Sequence, residues 1–207
     1  MGRTEVSSAS PRDAHSRTTG GMRSRLRAAV PWLVVALLTW LVSATAAPAQ
    51  ELGYRVLVEF GALREAVGAN ILSAAIALGS LPVCCLAALV ALGIGLSAGR
   101  RRELAWAGAG AGLLLFTVLV LQQLGLHIEH GWFPHEGTFP SGHLAAFLAA
   151  WMLWRAAVGA GYRRAVDVGA GVLGSCLAVA LLAGTAHTLW DVVGSAALGL
   201  AASRIAS

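Results

Sequence analysis

A chain of 207 residues that is 57% hydrophobic and 12% charged, with a mean hydropathy of +0.71, has too little polar surface to coat a water-soluble globule. Its formal net charge of +5 is carried by arginine alone, because no lysine occurs, and the arginines fall in groups between apolar runs. Composition therefore excludes an ordinary soluble domain, and the charge reports membrane topology, with no nucleic-acid partner expected.

In chain order, residues 1–28, rich in Ser, Thr and Arg, read as a disordered basic tail. Residues 29–48 read as a first transmembrane helix. Their basic approach, apolar middle and small Ala44, Ala46, Ala47 and Ala49 also fit a cleavable secretory signal. Residues 49–68, which hold Arg55 and Arg64, read as a loop outside the membrane. Five further apolar runs, at 69–97, 104–126, 141–160, 166–187 and 189–206, are each near the roughly 20 residues that cross a bilayer. The run 69–97 is overlong and contains Gly79, Ser80 and Pro82, which predicts one tilted or kinked helix. Cys84, Cys85 and Cys176 lie inside spans, as buried small residues. Gly108, Gly110 and Gly112 in one span and Gly169, Gly171 and Gly174 in another are expected to let helices approach closely. The expected fold is an all-α polytopic membrane helix bundle of about six transmembrane helices, with its core in residues 69–207.

If six spans alternate, Arg3 to Arg27, Arg100 to Arg102, Arg155, Arg163, Arg164 and Arg204 share one side, and only Arg55 and Arg64 fall opposite. The positive-inside rule then makes both termini cytoplasmic, in an integral protein of a bacterial-type plasma membrane. Five of the six histidines, His127, His130, His135, His143 and His187, gather on the other, extracytoplasmic side with Glu129, Glu136 and Asp191. Titratable groups at a bilayer edge are costly, so this face is the candidate site.

Two motifs there carry chemistry. In Pro140-Ser141-Gly142-His143 at the head of an apolar run, Ser141 suits a helix N-cap and Gly142 leaves room for a ligand to approach the free N–H groups of the first turn. Such a turn binds phosphate, and His143 is placed to hand a proton to a leaving oxygen. In "AGTAHTLWDVVGSAALG", residues 183–199, His187 and Asp191 are four apart and meet on one face if the segment is helical. The carboxylate then orients the ring as a base or nucleophile. The bland counterparts are a plain capped helix with an interfacial histidine, and an aspartate serving only as a cap. The spacing of His127, Glu129, His130 and His135 matches no metal template, so no metal or cofactor is expected.

The order of these two motifs, with "DVVG" and Gly199 following, resembles the type 2 phosphatidic acid phosphatase family, membrane relatives of vanadium haloperoxidases, over roughly residues 69–204. The resemblance implies metal-independent hydrolysis of a lipid phosphate or an isoprenoid phosphate or diphosphate drawn from among the membrane lipids. It implies His187 as the nucleophile forming a phosphohistidine, Asp191 as its orienting partner, His143 as the general acid, and Ser141 and Gly142 as phosphate ligands. The family also places a lysine and an arginine before "PSGH" and an arginine six residues before the nucleophile. No Lys or Arg occurs between Glu103 and Trp154, so Gln122 or Gln123 and Glu129 or His130 stand near the first two places, and Leu181 occupies the third. A protonated His127, His130 or His135, or Arg55 or Arg64 of the outer loop, is the expected substitute for the missing charge, with His130 taken as the phosphate ligand. The alternative is a catalytically impaired member that acts as a lipid-phosphate binder or scaffold.

Overall fold

The computed structural model describes residues 11–123, 139–185 and 187–206, with side chains from residue 21 onward. Every element among these residues is an α-helix: α1 Pro11–Thr45, α2 Ala47–Val67, α3 Ala69–Ala77, α4 Leu81–Ser97, α5 Arg101–Gln123, α6 Gly142–Ala157, α7 Ala160–Ala183 and α8 Leu189–Ala206. The apolar helices make this an all-α membrane-type bundle.

Among the described residues four helices are long and apolar enough to cross a membrane: Gly21–Thr45 of α1, and all of α5, α7 and α8. The pair α3 and α4, bent by 43°, makes a fifth if counted as one span. The break lies at Leu78, Gly79 and Ser80, and Pro82 sits in the first turn of α4, where its missing N–H costs nothing. The sixth expected span, 141–160, is α6, with 16 residues. At 1.5 Å per residue it rises about 24 Å, short of a hydrocarbon core of about 30 Å.

Instead of facing lipid, α6 is the hub of the bundle, packed against α4, α5, α7 and α8. Its small Ala145, Ala146, Ala149, Ala150, Ala156 and Ala157 are buried, so four neighbours can close on one short helix without large side chains holding them apart. Small residues also set the seam between α1 and α8. Ala29, Ala36 and Ser43 recur every seven residues along α1, are buried, and let it lie close along α8. Of the glycines in α5 and α7, Gly110 abuts Ala202 and Ala206 of α8 and Gly174 abuts Phe147 of α6, whereas Gly108, Gly112, Gly169 and Gly171 face open space. Cys84 is buried as expected, but Cys85 and Cys176 are exposed, on helix faces turned outward from the bundle.

Two segments differ from expectation. The tail expected at 1–28 is helical from Pro11, since a proline starts a helix readily and each residue added to an existing helix needs no new nucleus; residues 1–10 lie outside the described residues. The expected loop 49–68 is α2. Its charges interrupt any bilayer-length apolar run, yet Ala49, Gly53 and Leu57 recur every four residues and are the buried face, while Glu51 and Arg55 pair at 3.0 Å on the outside. This amphipathic helix rests on α7 and α8, where Trp190 Nε1 donates to the Ala49 carbonyl at 2.8 Å.

Gly199 of α8 is pressed against the Leu148 side chain of α6, while Gly171 faces open space. Gly199→Ala should therefore destabilise the folded bundle by about 1–3 kcal/mol. Gly171→Ala should be neutral or stabilising by up to about 1 kcal/mol through helix propensity. Thermal unfolding of the two variants in detergent checks the contrast.

Candidate active site

The starts of α6 and α8 meet at one end of the bundle. Pro140 and Ser141 precede α6 after a cis Phe139–Pro140 peptide bond, and all three residues are buried. Ser141 is the N-cap of α6, with its hydroxyl accepting from the Leu144 N–H at 3.5 Å. The Ser141 N–H donates to the Asp191 carbonyl at 3.4 Å. Ser195, fully buried one turn further along α8, donates through its hydroxyl toward the Asp191 carbonyl at 2.7 Å and the Ser141 carbonyl at 3.2 Å. Its single O–H thus joins the two helix starts. Gln122, at the end of α5, donates to the Pro140 carbonyl at 2.9 Å and holds the tetrad from the other side. The ring of Phe139 packs directly on Gly194, a contact that any side chain at 194 would block.

His187 does not sit in the first turn of α8, as the four-residue spacing suggests, but two residues ahead of it. Thr188 occupies the N-cap position. The Asp191 carboxylate Oδ2 accepts from the Thr188 N–H at 2.8 Å, and Thr188 Oγ1 accepts from the Asp191 N–H at 3.3 Å. This is a reciprocal capping box, so Asp191 secures the helix start and keeps the same Oδ2 within 3.7 Å of His187 Nδ1. Both side chains are buried. A carboxylate beside Nδ1 favours the tautomer with its proton there, leaving the lone pair on Nε2. The turn that delivers His187 includes Thr185 at φ 54°, a left-handed conformation in a non-glycine residue that costs of order 1–3 kcal/mol.

The His143 and His187 rings stand edge to face with centroids 6.1 Å apart. Both line a cleft of about 610 Å³ together with Gly142 and Gln122. The rest of its wall is apolar and includes Leu81 of α4 and Leu115 and Leu119 of α5, which are exposed on the outer face of the bundle. The cleft is therefore polar at the helix starts and apolar where it opens sideways. Gly79, at the break between α3 and α4, lies against the His143 carbonyl and Cβ, leaving no room there for a side chain.

The structure thus brings together Ser141, Gly142, His143, His187 and Asp191. His130, with His127, Glu129, His135 and Glu136, lies outside the described residues. Leu181, where the resemblance calls for an arginine, is fully buried, and its carbonyl accepts from the His187 N–H at 3.4 Å. Arg55 is paired with Glu51, and Arg64 lines a separate depression with Glu65 and Thr185. No arginine lines the histidine cleft among the described residues. Sequence reasoning missed Ser195 and Thr188. Ser195 continues the four-residue stripe of His187 and Asp191, and Thr188-x-x-Asp191 is a capping-box pattern, so both signals were present. No family model, curated protein or solved structure matches this chain.

Ser195→Ala removes the one hydroxyl that joins the two helix starts, and Thr188→Ala removes half of the capping pair. Each should lower stability by about 1 kcal/mol. Detergent-solubilised thermal melts measure both, and unchanged melting in the two variants would deny the clamp its role.

Proposed function

We propose that this chain is a membrane lipid phosphatase-like protein that takes phosphate from a lipid phosphate or diphosphate through a phosphohistidine at His187. The observation that carries the reading is the histidine cleft, where two histidines and a capped helix start meet in a space that opens sideways between exposed leucines. A phosphate bound at the start of α6 accepts from the Gly142 N–H, aided by the helix dipole, on a turn that the buried Ser141 hydroxyl caps. The lipid tail leaves along Leu115 and Leu119.

In the first step His187 Nε2 attacks phosphorus, and the phosphorus–oxygen bond to the lipid breaks. The electron pair goes to the leaving oxygen, which takes a proton from His143. In the second step water attacks phosphorus, the new phosphorus–oxygen bond forms as the phosphorus–nitrogen bond to His187 breaks, His143 accepts the proton of that water, and inorganic phosphate departs with His187 restored. Asp191 holds the His187 ring and offsets the positive charge that develops on it. The cations that a phosphate dianion requires come from His127, His130 and His135. The grouping of arginines at the opposite end of the bundle supports an extracytoplasmic site and cytoplasmic termini.

One observation favours a second reading, a lipid-phosphate binder that does not turn over: among the described residues, no arginine lines the cleft. Phosphate release from a panel of lipid phosphates and diphosphates, with and without chelator, separates the two. Chelator-resistant release is expected. His187→Ala should abolish it together with any acid-labile phosphoenzyme, whereas His143→Ala should spare substrates with good leaving groups. Full activity of His187→Ala sinks the mechanism, and tight lipid binding without release by the unaltered chain establishes the binder.

The substitute cation has its own test. Histidine with an ordinary pKa of about 6.5 is charged only in mildly acidic medium, so His130→Arg should raise substrate affinity at neutral pH relative to the unaltered chain. Steady-state kinetics at pH 5.5 and 7.5 compare the two, and equal affinity at both values would remove His130 from the phosphate site. A reporter fused after Ser207 should read cytoplasmic.

A further inference from the structure

At the end of the bundle away from His143 and His187, a second cleft of about 520 Å³ is formed where α1, α5, α6, α7 and α8 converge. Four arginines line it, one each from α1, α5, α6 and α7: Arg25, Arg102, Arg155 and Arg163. Their acidic neighbours are few. Asp167 accepts from Arg155 Nε at 3.1 Å and from Trp151 Nε1 at 3.0 Å, which engages its charge, and Glu103 is the one carboxylate in the lining. Arg25 stacks over the Trp106 ring, 5.0 Å from its centroid. Arg163 Nε is buried with no hydrogen-bond partner among the described residues.

Four converging guanidiniums with a deficit of acids repel one another, and a buried donor without an acceptor forfeits its desolvation cost. One bound anion with several acceptor oxygens relieves both. Phosphate suits guanidinium best, because its oxygens match the planar fork of donors. Met152 and Ala156 of α6 also line the cleft and give it apolar surface, and it lies at the ends of membrane-type helices. That is the depth of a lipid headgroup. We propose that this cleft binds the phosphate of an anionic phospholipid, holding it among Arg25, Arg102, Arg155 and Arg163. Twelve residues of α6 separate His143 from Arg155, about 18 Å of helix, so the bound lipid is not the substrate of the histidine cleft. The lipid ties together the ends of helices drawn from across the bundle.

Native mass spectrometry of the detergent-purified full chain, titrated with dioleoylphosphatidylglycerol and with dioleoylphosphatidylcholine, tests the site. The unaltered chain should retain one phosphatidylglycerol and discriminate against phosphatidylcholine. Arg163→Gln and Arg102→Gln should each weaken retention by at least about tenfold. Arg102 is exposed, so its variant keeps the test valid if Arg163→Gln does not fold. Undiminished retention in a folded variant, or equal retention of the two lipids, overturns the proposal. Inorganic phosphate forms a separate arm. If it raises the melting temperature as much as phosphatidylglycerol does and displaces it, the site takes free phosphate and the lipid assignment fails. If only the lipid protects, the assignment stands.

Discussion

Two helices that begin side by side within a membrane protein must satisfy their first backbone groups without relying on water. The starts of α6 and α8 do this jointly. Ser141 caps α6, Thr188 and Asp191 cap α8, and the Ser141 N–H and Ser195 hydroxyl tie one start to the other through backbone carbonyls. His187 directly precedes Thr188 and His143 lies two residues after Ser141, so their separation follows from the capping network. The placement of the site is thus a by-product of finishing two helices.

The shortness of α6 makes this arrangement possible. Sixteen residues do not reach across a bilayer, and α6 begins level with the end of α5 and the break between α3 and α4, from which Gln122 and Gly79 reach its start. A longer α6 would carry the Ser141-Gly142-His143 turn out to the interface. The alanines that let four helices close on α6 fix its depth, and the break at Gly79 lets α3 and α4 bend around the His143 backbone.

Much of this was legible in the sequence, for identifiable reasons. Apolar runs gave the membrane class and most helices, and Gly79, Ser80 and Pro82 marked the kink, because burial in lipid and helix breaking act through local composition. The pairing of His187 with Asp191 followed from a four-residue spacing, although the ring reaches the carboxylate from before the helix rather than along its face. α2 was hidden because an amphipathic helix never presents a long apolar run; its signal was the recurrence of Ala49, Gly53 and Leu57. The hub role of α6 was hidden too, since an alanine-rich apolar run reads the same whether its neighbours are helices or lipid. The bond from Gln122 to the Pro140 carbonyl joins residues far apart in the chain, and nothing local announces it.

The two clefts set different ionisable chemistry at opposite ends of the bundle. One end offers imidazoles and a carboxylate beside a capped helix start; the other offers guanidiniums with too few acids. Imidazole can accept and return a proton near neutral pH, which a reaction needs, whereas guanidinium is permanently charged and can only hold an anion. The absence of lysine sharpens the contrast, because every permanent side-chain cation in this chain is a planar fork suited to phosphate. Under the proposed function a substrate phosphate must be released after reaction, which a cleft lined by no arginine among the described residues favours, whereas the proposed lipid must stay, which the arginine cleft favours. The two chemistries therefore fit opposite demands on the same kind of ligand.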